Sequence, residues 1–481
     1  MGQKSIKLNF ILNAGLSLLN VLFPLLTYPY VARSLGPDNL GKVRFVSSFV
    51  EYFVIFSQLG LPTLGVREVA KVRDDKEKLS KLVQELLIIN LLVTTLSYII
   101  LGVCLLIVPK IVDNKALVIV FSLNIFFGAI GVEWMYRGLE EYGYITVRSV
   151  IFKIISVIAI FLLIHTESDY IIYSAILVLA TSGSYVCNFI HARKYISFKP
   201  VGGYEFGKHI RNALIFLGMS AATTIYTSLD SLMLGFMKGD TEVGYYDAAV
   251  RVKNILVTLI TSLGTVILPR ASYYVEKGLL DEFRSVIAKA LDLVWCAALP
   301  CMVYCMMFAY PIVMVLAGEE FIPATLTMIV ITPTIFLIGM SNIFGIQMLV
   351  PLGRETSLFI AEILGAVIDL IFNLILIPRL GATGAAIGTL AAELIVVILT
   401  IIALGKNVSQ GFKGISYSKI SIALVVSSIV GLPILWLDIH VIYVVLISGL
   451  VFFGLYGILL FVTKEKMAIE AVKAIKSKIR H

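Results

Sequence analysis

The sequence predicts an all-α, polytopic membrane protein with about 14 transmembrane helices, in two pseudo-symmetric six-helix lobes plus two C-terminal helices. Three observations predict this class. First, 59% of the 481 residues are hydrophobic, 15% are charged, and the mean hydropathy is +0.96. Soluble domains have about 45–50% apolar and about 25% charged residues, so a soluble enzyme, a disulfide scaffold and a disordered chain are excluded. Second, the apolar residues form long blocks. Third, polar patterns recur about 203 residues apart.

Each apolar block has the length of a membrane-spanning helix. Crossing ~30 Å of hydrocarbon takes ~20 helical residues, and the ten-residue alternation of a membrane barrel does not occur. The predicted spans are 8–31, 43–66, 82–108, 116–137, 145–165, 170–192, 210–237, 243–269, 288–316, 322–350, 355–377, 381–404, 417–436 and 441–462. The predicted domains are an N-lobe (1–208, spans 1–6), a C-lobe (209–404, spans 7–12), spans 13 and 14 (405–462) and a basic amphipathic cytoplasmic tail (463–481).

Lys and Arg are divided unevenly between the connections. With the N-terminus inside, inner segments hold 29 of the 39 residues, outer connections hold 7, and Lys153, Arg251 and Lys253 lie within spans. Because inner loops are enriched in these residues, we expect both termini to be cytoplasmic. The net charge of +8 is spread over one membrane face, so we expect contact with anionic membrane lipids and no nucleic-acid partner.

Spans 2 and 8 carry matching polar stripes, which indicates an internal repeat. They begin at Gly41 and Gly244. The positions 3, 7, 10 and 17 residues later are Arg44, Ser48, Glu51 and Gln58 in span 2. In span 8 the same positions are Asp247, Arg251, Asn254 and Thr261. These spacings fall within about 60° on a helix of 100° per residue. Spans 1 and 7 repeat the pattern more faintly, through Asn13, Ser17, Asn20 and Thr27, and through Ser220, Thr224, Thr227 and Ser231 with Asp230 beside them.

A polar stripe is costly against lipid, by ~2.5–3.5 kcal/mol for a charge at mid-membrane. We therefore expect the stripes to face a water-filled cavity between the lobes; the alternative is that they join helices through hydrogen bonds. Candidate residues for binding an anionic substrate such as a phosphate or diphosphate are Arg251, Lys153, Arg44, Arg33, Asn254 and Gln58. An ion pair with Asp247 is the alternative role for Arg251, and snorkelling to the interface is the alternative for Arg33 and Arg44.

Acidic residues within the spans are candidates for coupling transport to H⁺ or Na⁺, or for neutralising nearby cations. The five acids that we select as coupling candidates are Glu51, Asp230, Asp247, Glu362 and Asp369. No other cofactor, metal site or catalytic residue is expected. All five cysteines lie within spans, and no complete phosphate-binding loop, HExxH or GxSxG pattern occurs. Gly384 and Gly388 have the spacing of closely packed helices.

Several segments together resemble a known family: FPLLTYPYVARSLGPDNLGKVRF (23–45), EWMYRGLEEY (133–142), LDSLMLG (229–235), EVGYYDAA (242–249) and LGATGAAIGTLAAE (380–393). The chain is similar to bacterial Wzx-type O-antigen and capsule repeat-unit flippases, in the polysaccharide transporter branch of the multidrug/oligosaccharidyl-lipid/polysaccharide exporter superfamily. The resemblance implies transfer of polyprenyl-diphosphate-linked glycans between leaflets of the bacterial cytoplasmic membrane, by alternating access and without hydrolysis. Polymerase and other polysaccharide-assembly proteins are candidate partners.

Three alternatives remain open. A lipid II flippase also has fourteen spans, and a cation-coupled drug or small-molecule antiporter has the same lobes but depends more on membrane acids. A polymerase or ligase would be expected to carry a large outer loop, whereas the longest outer connection predicted here has about a dozen residues.

Overall fold

The computed structural model describes residues 6–262, 264–405 and 415–469, without the side chains of 6–22, 215, 219–227, 265 and 266. Helices and short connections make up these ranges, and no β-strand occurs in them. The chain divides into two compact units, Met1–Gly244 and Tyr245–His481. The predicted lobe boundary at residue 208 stays a prediction.

The first unit contains the helices α1 (Ile6–Gln58), α2 (Leu61–Val72), α3 (Lys76–Ile107), α4 (Pro109–Asp113), α5 (Lys115–Ile130), α6 (Glu133–Gly138), α7 (Tyr142–Leu163), α8 (Tyr170–Val178), α9 (Tyr185–Ala192) and α10 (Phe206–Met237). Helix α11 (Asp240–Thr261) begins in the first unit and continues in the second. The second unit adds α12 (Gly264–Glu276), α13 (Leu280–Met307), α14 (Ala309–Leu316), α15 (Ala324–Ile331), α16 (Thr334–Asn342), α17 (Glu355–Leu380), α18 (Ala382–Leu404), α19 (Tyr417–Gly431) and α20 (Val441–Val462).

Ten described helices or helix runs are long and apolar enough to cross a membrane. They are Phe23–Val72, Lys76–Ile107, Tyr142–Leu163, Glu167–Ala192, Leu280–Met307, Ala324–Leu349, Glu355–Leu380, Ala382–Leu404, Tyr417–Trp436 and Val441–Val462. Lys115–Ile130 and Ser228–Met237 are shorter apolar helices. The all-helical, multi-pass fold class is thereby confirmed, whereas the number fourteen stays a prediction.

The first two predicted spans are joined by a sharp bend inside α1. Gly36 has φ 71° and ψ 172°, so the helix is interrupted there. Glycine adopts this positive φ readily, and Pro37 disfavours the helical conformation in the residue before it. The limb after the bend (37–58) runs antiparallel to α10, as shown by contacts of Arg44 with Ser231 and of Glu51 with Ser228.

Reciprocal contacts in the first unit relate positions that are 203 residues apart. A β-carbon on Gly41 would overlap the carbonyl of Asp240, and one on Gly244 would overlap the carbonyl of Pro37. Between them, Thr241 Oγ1 donates to Asp38 Oδ1 at 3.1 Å. Since each contact has its counterpart under the same offset, this geometry supports the internal repeat predicted from the sequence.

The connection between α9 and α10 is held against α3 by a set of bonds that we call the clasp. Gln84 Nε2 donates to the carbonyls of Ser197 (2.7 Å) and Lys199 (2.9 Å). Glu85 accepts from the backbone N–H of Glu205 at 2.8 Å and lies 2.9 Å from His209 Nε2. The clasp therefore fixes the residues that lead into α10.

In the second unit, α17 and α18 pack closely through small residues. A stripe of residues four apart on α17 is buried: Ala361, Gly365, Asp369, Asn373 and Ile377. A β-carbon at Gly384 would overlap the backbone of Leu376, which confirms the close packing predicted at this glycine.

Candidate functional site

Two predicted site residues, Arg44 and Glu51, lie on the face of α1 that packs on α10. Arg44 Nε donates to Ser231 Oγ at 3.4 Å, and Glu51 Oε2 accepts from Ser228 Oγ at 3.0 Å. Asp230 of α10 is buried. Both the stripe of span 2 and the LDSLMLG segment thus contribute to one polar contact. These bonds also agree with the alternative that the polar stripes join helices through hydrogen bonds.

Sequence reasoning missed Lys110, which was placed in an outer connection. Its Nζ lies 2.8 Å from Asp240 Oδ1 and 4.7 Å from the centre of the Phe45 ring, and it donates to the carbonyl of Gly235. Only the fold brings α4 to the end of α10, so no local pattern in the sequence indicates these contacts.

The strongest single prediction, Arg251, forms an ion pair with Asp247. Arg251 Nε lies 2.8 Å from Asp247 Oδ2, one helical turn away. Asp247 is buried, whereas 27% of the Arg251 side chain remains exposed. The pairing considered for these residues is therefore confirmed, and part of the Arg251 side chain remains exposed beside it.

Three other predicted substrate-binding residues are Arg33, Lys153 and Asn254, and only Asn254 shares a helix with this pair. Arg33 is exposed and its Nη1 donates to the carbonyl of Pro29 at 2.6 Å, within its own helix. Lys153 is half-buried in α7, and Asn254 is exposed on α11. The predicted stripe members Asn13, Ser17, Asn20, Ser220, Thr224 and Thr227 have side chains outside the described set.

The acids predicted on α17 have different environments. Asp369 is buried and its Oδ2 accepts from Asn373 Nδ2 at 3.1 Å. Gly388 of α18 lies against both Asp369 and Asn373, so α18 packs on this buried pair. Glu362 is exposed, one position from the buried stripe. Buried carboxylate and amide oxygens are ligands that suit a proton or a hard cation.

A polar pocket in the first unit contains Gln58, the last predicted residue of the α1 stripe. Its volume is about 170 Å³. The lining residues come from six helices and their ends: Gln58, Leu61, Pro62, Asn90, Gly128, Gly131, Glu133, Trp134, Arg137 and Tyr185. We call this cavity the Gln58 pocket.

Two lining residues of the pocket, Glu133 and Arg137, belong to a charged cluster that also contains Arg148. Glu133 Oε1 accepts from Arg137 Nη2 at 2.7 Å, and Glu133 Oε2 accepts from Arg148 Nη2 at 3.0 Å. Arg137 is exposed, whereas Arg148 is only 5% exposed and lies 5.6 Å from the Tyr185 ring centre. The cluster therefore runs from an open edge at Arg137 to a buried guanidinium.

Several polar atoms of this region have no hydrogen-bond partner within the described part of the chain. They are Asn90 Oδ1, Trp134 Nε1, and Arg148 Nε and Nη1. Unpaired buried polar atoms cost about 1–3 kcal/mol each, so such a group calls for water or a ligand. The EWMYRGLEEY segment contains Glu133 and Arg137, but no sequence pattern pairs Glu133 with Arg148 or brings Asn90 to Gln58.

A separate group in the second unit could hold a metal ion. Ligand atoms of Asp292, Cys296 and Glu465 all lie within 4.8 Å of one another. Asp292 and Cys296 are one turn apart on α13, while Glu465 follows α20, so sequence reasoning had no reason to join them. Carboxylate and thiolate donors suit a borderline divalent ion such as Zn²⁺.

Comparisons with known proteins agree with this architecture. The family described as polysaccharide biosynthesis protein matches residues 6–275, which is more than half of the chain. A putative O-antigen transporter of Escherichia coli (strain K12) is 26% identical over 413 residues, covering 84% of this chain and 97% of that protein.

Two solved structures share the fold. One is the lipid II flippase MurJ in an inward closed conformation, with a TM-score of 0.72, 17% identity, and coverage of 96% of this chain and 99% of that one. The other is an inward-facing multidrug resistance MATE family transporter of the MOP superfamily, with a TM-score of 0.63, 13% identity, and coverage of 84% and 99%. At these identities the likeness concerns the fold alone. The family match over residues 6–275 shows that the chain belongs to the polysaccharide biosynthesis protein family.

Proposed function

We propose that the protein moves a polyprenyl-diphosphate-linked oligosaccharide repeat unit from the inner to the outer leaflet of a bacterial cytoplasmic membrane. Its product would serve O-antigen, capsule or exopolysaccharide synthesis. Family membership and the alignment with a putative O-antigen transporter support this proposal. Membrane lipids, and a polymerase or other polysaccharide-assembly proteins, would be its partners. No hydrolytic step is proposed, and both termini would lie in the cytoplasm.

The observation that carries the proposal is the Arg251–Asp247 pair. Its geometry fixes Arg251 through Nε at 2.8 Å while 27% of the side chain stays exposed, inside a predicted span. A guanidinium binds phosphate oxygens through parallel hydrogen bonds, and a buried carboxylate on its other side holds it in place. A diphosphate headgroup is the matching ligand, with the lipid tail remaining in the bilayer.

Replacing Arg251 with glutamate tests the proposal. In cells that lack the gene, polyprenyl-diphosphate glycans should remain in the inner leaflet, hidden from a glycan-labelling reagent that cannot cross the membrane. The intact gene should restore labelling. Arg251→Glu should reduce the initial labelling rate roughly 10–100-fold, because each charge-assisted hydrogen bond contributes about 1.5–3 kcal/mol.

Lys253→Glu provides the matched control, since it makes the same charge change on the same helix but on the face opposite the predicted stripe. It should support nearly normal labelling. Normal labelling by Arg251→Glu would contradict the cationic site. Normal labelling without the gene, in a strain that has no second flippase, would contradict flipping itself and favour a cation-coupled antiporter. Lipid II accumulating in place of the polysaccharide precursor would identify a lipid II flippase.

We further propose that H⁺ or Na⁺ drives transport through Asp369. This carboxylate is buried on α17 and bonded to Asn373, so binding a cation there would change the charge inside the second unit. Transport by the intact protein should slow when ionophores collapse both gradients. Asp369→Asn should lose that dependence, whereas Glu362→Gln, at the exposed acid of the same helix, should keep it. A wild-type rate indifferent to both gradients would contradict coupling.

A further inference from the structure

We propose that the Gln58 pocket is a binding subsite for one uncharged sugar ring of the transported glycan. This inference rests on the proposed function, which it deepens by giving the pocket a substrate class. Four observations carry it: the charge balance of the lining, the unpaired polar atoms, the aromatic walls and the volume.

The charge balance of the lining favours a neutral ligand over a phosphate. The charged lining residues are Glu133 and Arg137, and they neutralise each other at 2.7 Å. The second guanidinium, Arg148, is buried behind them and bonded to the other carboxylate oxygen of Glu133. An anionic group in the pocket would therefore meet a carboxylate as well as a cation, whereas hydroxyl groups can bond to both.

The lining also offers hydrogen-bond donors and acceptors that a sugar can satisfy. Asn90 Oδ1 is an acceptor and Trp134 Nε1 is a donor, and neither has a partner within the described residues, although the two side chains are only 3% and 5% exposed. Gln58 adds an amide that both donates and accepts. A sugar hydroxyl donates and accepts as well, so a ring in this pocket matches the hydrogen-bonding chemistry of all three side chains.

Aromatic rings form the apolar part of the lining and are held in fixed positions. Trp134 packs directly on Gly65, where a β-carbon would overlap its indole ring. Tyr185 packs on Gly131 in the same way. Rigid rings whose polar atoms reach a partner are typical of sites that recognise ligands with one apolar face and one polar face.

The pocket volume limits the ligand to a small group. About 170 Å³ holds roughly six waters at ~30 Å³ each, which is the scale of a single sugar ring. Drug-sized ligands occupy about 300–1,000 Å³. The exposed Arg137 marks the open edge through which the rest of the glycan would extend.

Tryptophan fluorescence of the purified full chain tests the inference. The chain has three tryptophans, so replacing Trp295 and Trp436 with Phe leaves Trp134 in the pocket as the sole indole. The protein would be titrated in detergent with glucose, galactose, mannose, rhamnose and N-acetylglucosamine, and with inorganic pyrophosphate. We expect at least one sugar to change the Trp134 emission saturably at millimolar concentration, and pyrophosphate to have no effect.

Asn90→Leu should weaken sugar binding at least tenfold. The control Asn114→Leu also removes an amide, but it lies at the start of α5, whereas the pocket is at the end of α5, so it should leave sugar binding unchanged. No response to any of the sugars, a response to pyrophosphate alone, or unchanged binding by Asn90→Leu would each overturn the inference. If the chain with two tryptophans replaced does not fold, saturation-transfer NMR on the wild-type chain makes the same comparison.

The leaflet assay separates this inference from the proposed function. Sugar binding by a chain that does not restore outer-leaflet labelling would support the subsite and contradict flipping. Restored labelling by a chain that binds none of the sugars would contradict the subsite alone.

Discussion

Among the individual residues, Arg148 is a buried cation with one carboxylate partner in the described part of the chain. It is buried, it donates to Glu133 Oε2, and its Nε and Nη1 have no partner within the described part of the chain. The rings of Tyr144 and Tyr185 lie 5.8 and 5.6 Å away and offer a weaker cation–π contact. Glu133 is therefore the acid that makes a buried guanidinium tolerable at this position.

Replacing Glu133 should destabilise the protein more than replacing Arg137. Glu133→Ala leaves Arg148 as a buried charge without a carboxylate, which typically costs about 3–5 kcal/mol. Arg137 is exposed, so Arg137→Ala should cost about 0–1 kcal/mol. Thermal unfolding in detergent micelles measures both. Adding Arg148→Met to Glu133→Ala should recover much of the loss, and no recovery would contradict the assignment.

At the scale of elements, the limb of α1 after Gly36 is defined by its contacts with α10 and the start of α11. Gly41 and Gly244 leave no room for a side chain, and Asp38 accepts from Thr241 between them. The predicted orientation places this contact at the outer end of the spans. If transport follows the alternating access that the family resemblance implies, this end must separate during each transport cycle.

A cross-link between positions 38 and 241 should stop transport. The side chains of Asp38 and Thr241 meet at 3.1 Å, so cysteines there lie within reach of a short bifunctional methanethiosulfonate. In a background without the five native cysteines, Asp38→Cys with Thr241→Cys should form the link, and a reducing agent should restore glycan labelling. Mass spectrometry of the joined peptides and the leaflet assay measure the two effects. Each single cysteine variant serves as the control, and full transport with the link in place would contradict a moving contact.

The hydrophobic blocks allowed the helices to be predicted from the sequence, whereas the contacts between distant parts of the chain could not be predicted. The predicted spans 381–404 and 441–462 match α18 and α20 within one residue. Apolar length alone fixes such helices. The breaks at Phe308 and Pro333 do not follow from hydropathy, because local backbone geometry decides them.

Candidate site residues were predictable where one helix holds both partners. Arg251 and Asp247 are four residues apart, so helical periodicity alone predicted their pair. Lys110 and Asp240 are 130 residues apart in the chain and meet only in the folded unit. For the same reason, Asn90 and Tyr185 could not be assigned to the pocket that contains Gln58.

At the scale of the whole molecule, charge asymmetry and hydropathy together predict the topology. The predicted inner segments carry 29 Lys and Arg residues and the predicted outer connections carry 7, and ten described helices or helix runs could cross a membrane. The two shorter apolar helices, Lys115–Ile130 and Ser228–Met237, lie in regions where predicted spans were placed. Reporter fusions can therefore test both the orientation and the number of spans.

Green fluorescent protein fused after His481 should fluoresce, and alkaline phosphatase fused there should be inactive, because the C-terminus is predicted to be cytoplasmic. Fusions after Lys238 and after Asp438 should show the opposite pattern, since both residues lie in predicted outer connections. An active phosphatase after His481 would contradict the predicted orientation, and an inactive one after Asp438 would contradict the last pair of spans.

The clasp limits how α10 can move relative to α3 during transport. An unbonded connection would let α10 move independently of α3. Here Gln84 and Glu85 of α3 bond to Ser197, Lys199 and Glu205, which lead into α10. As long as these bonds persist, the N-terminal end of α10 must therefore move together with α3. Any hinge that moves the far end of α10 has to lie within the helix itself, or the clasp has to break first.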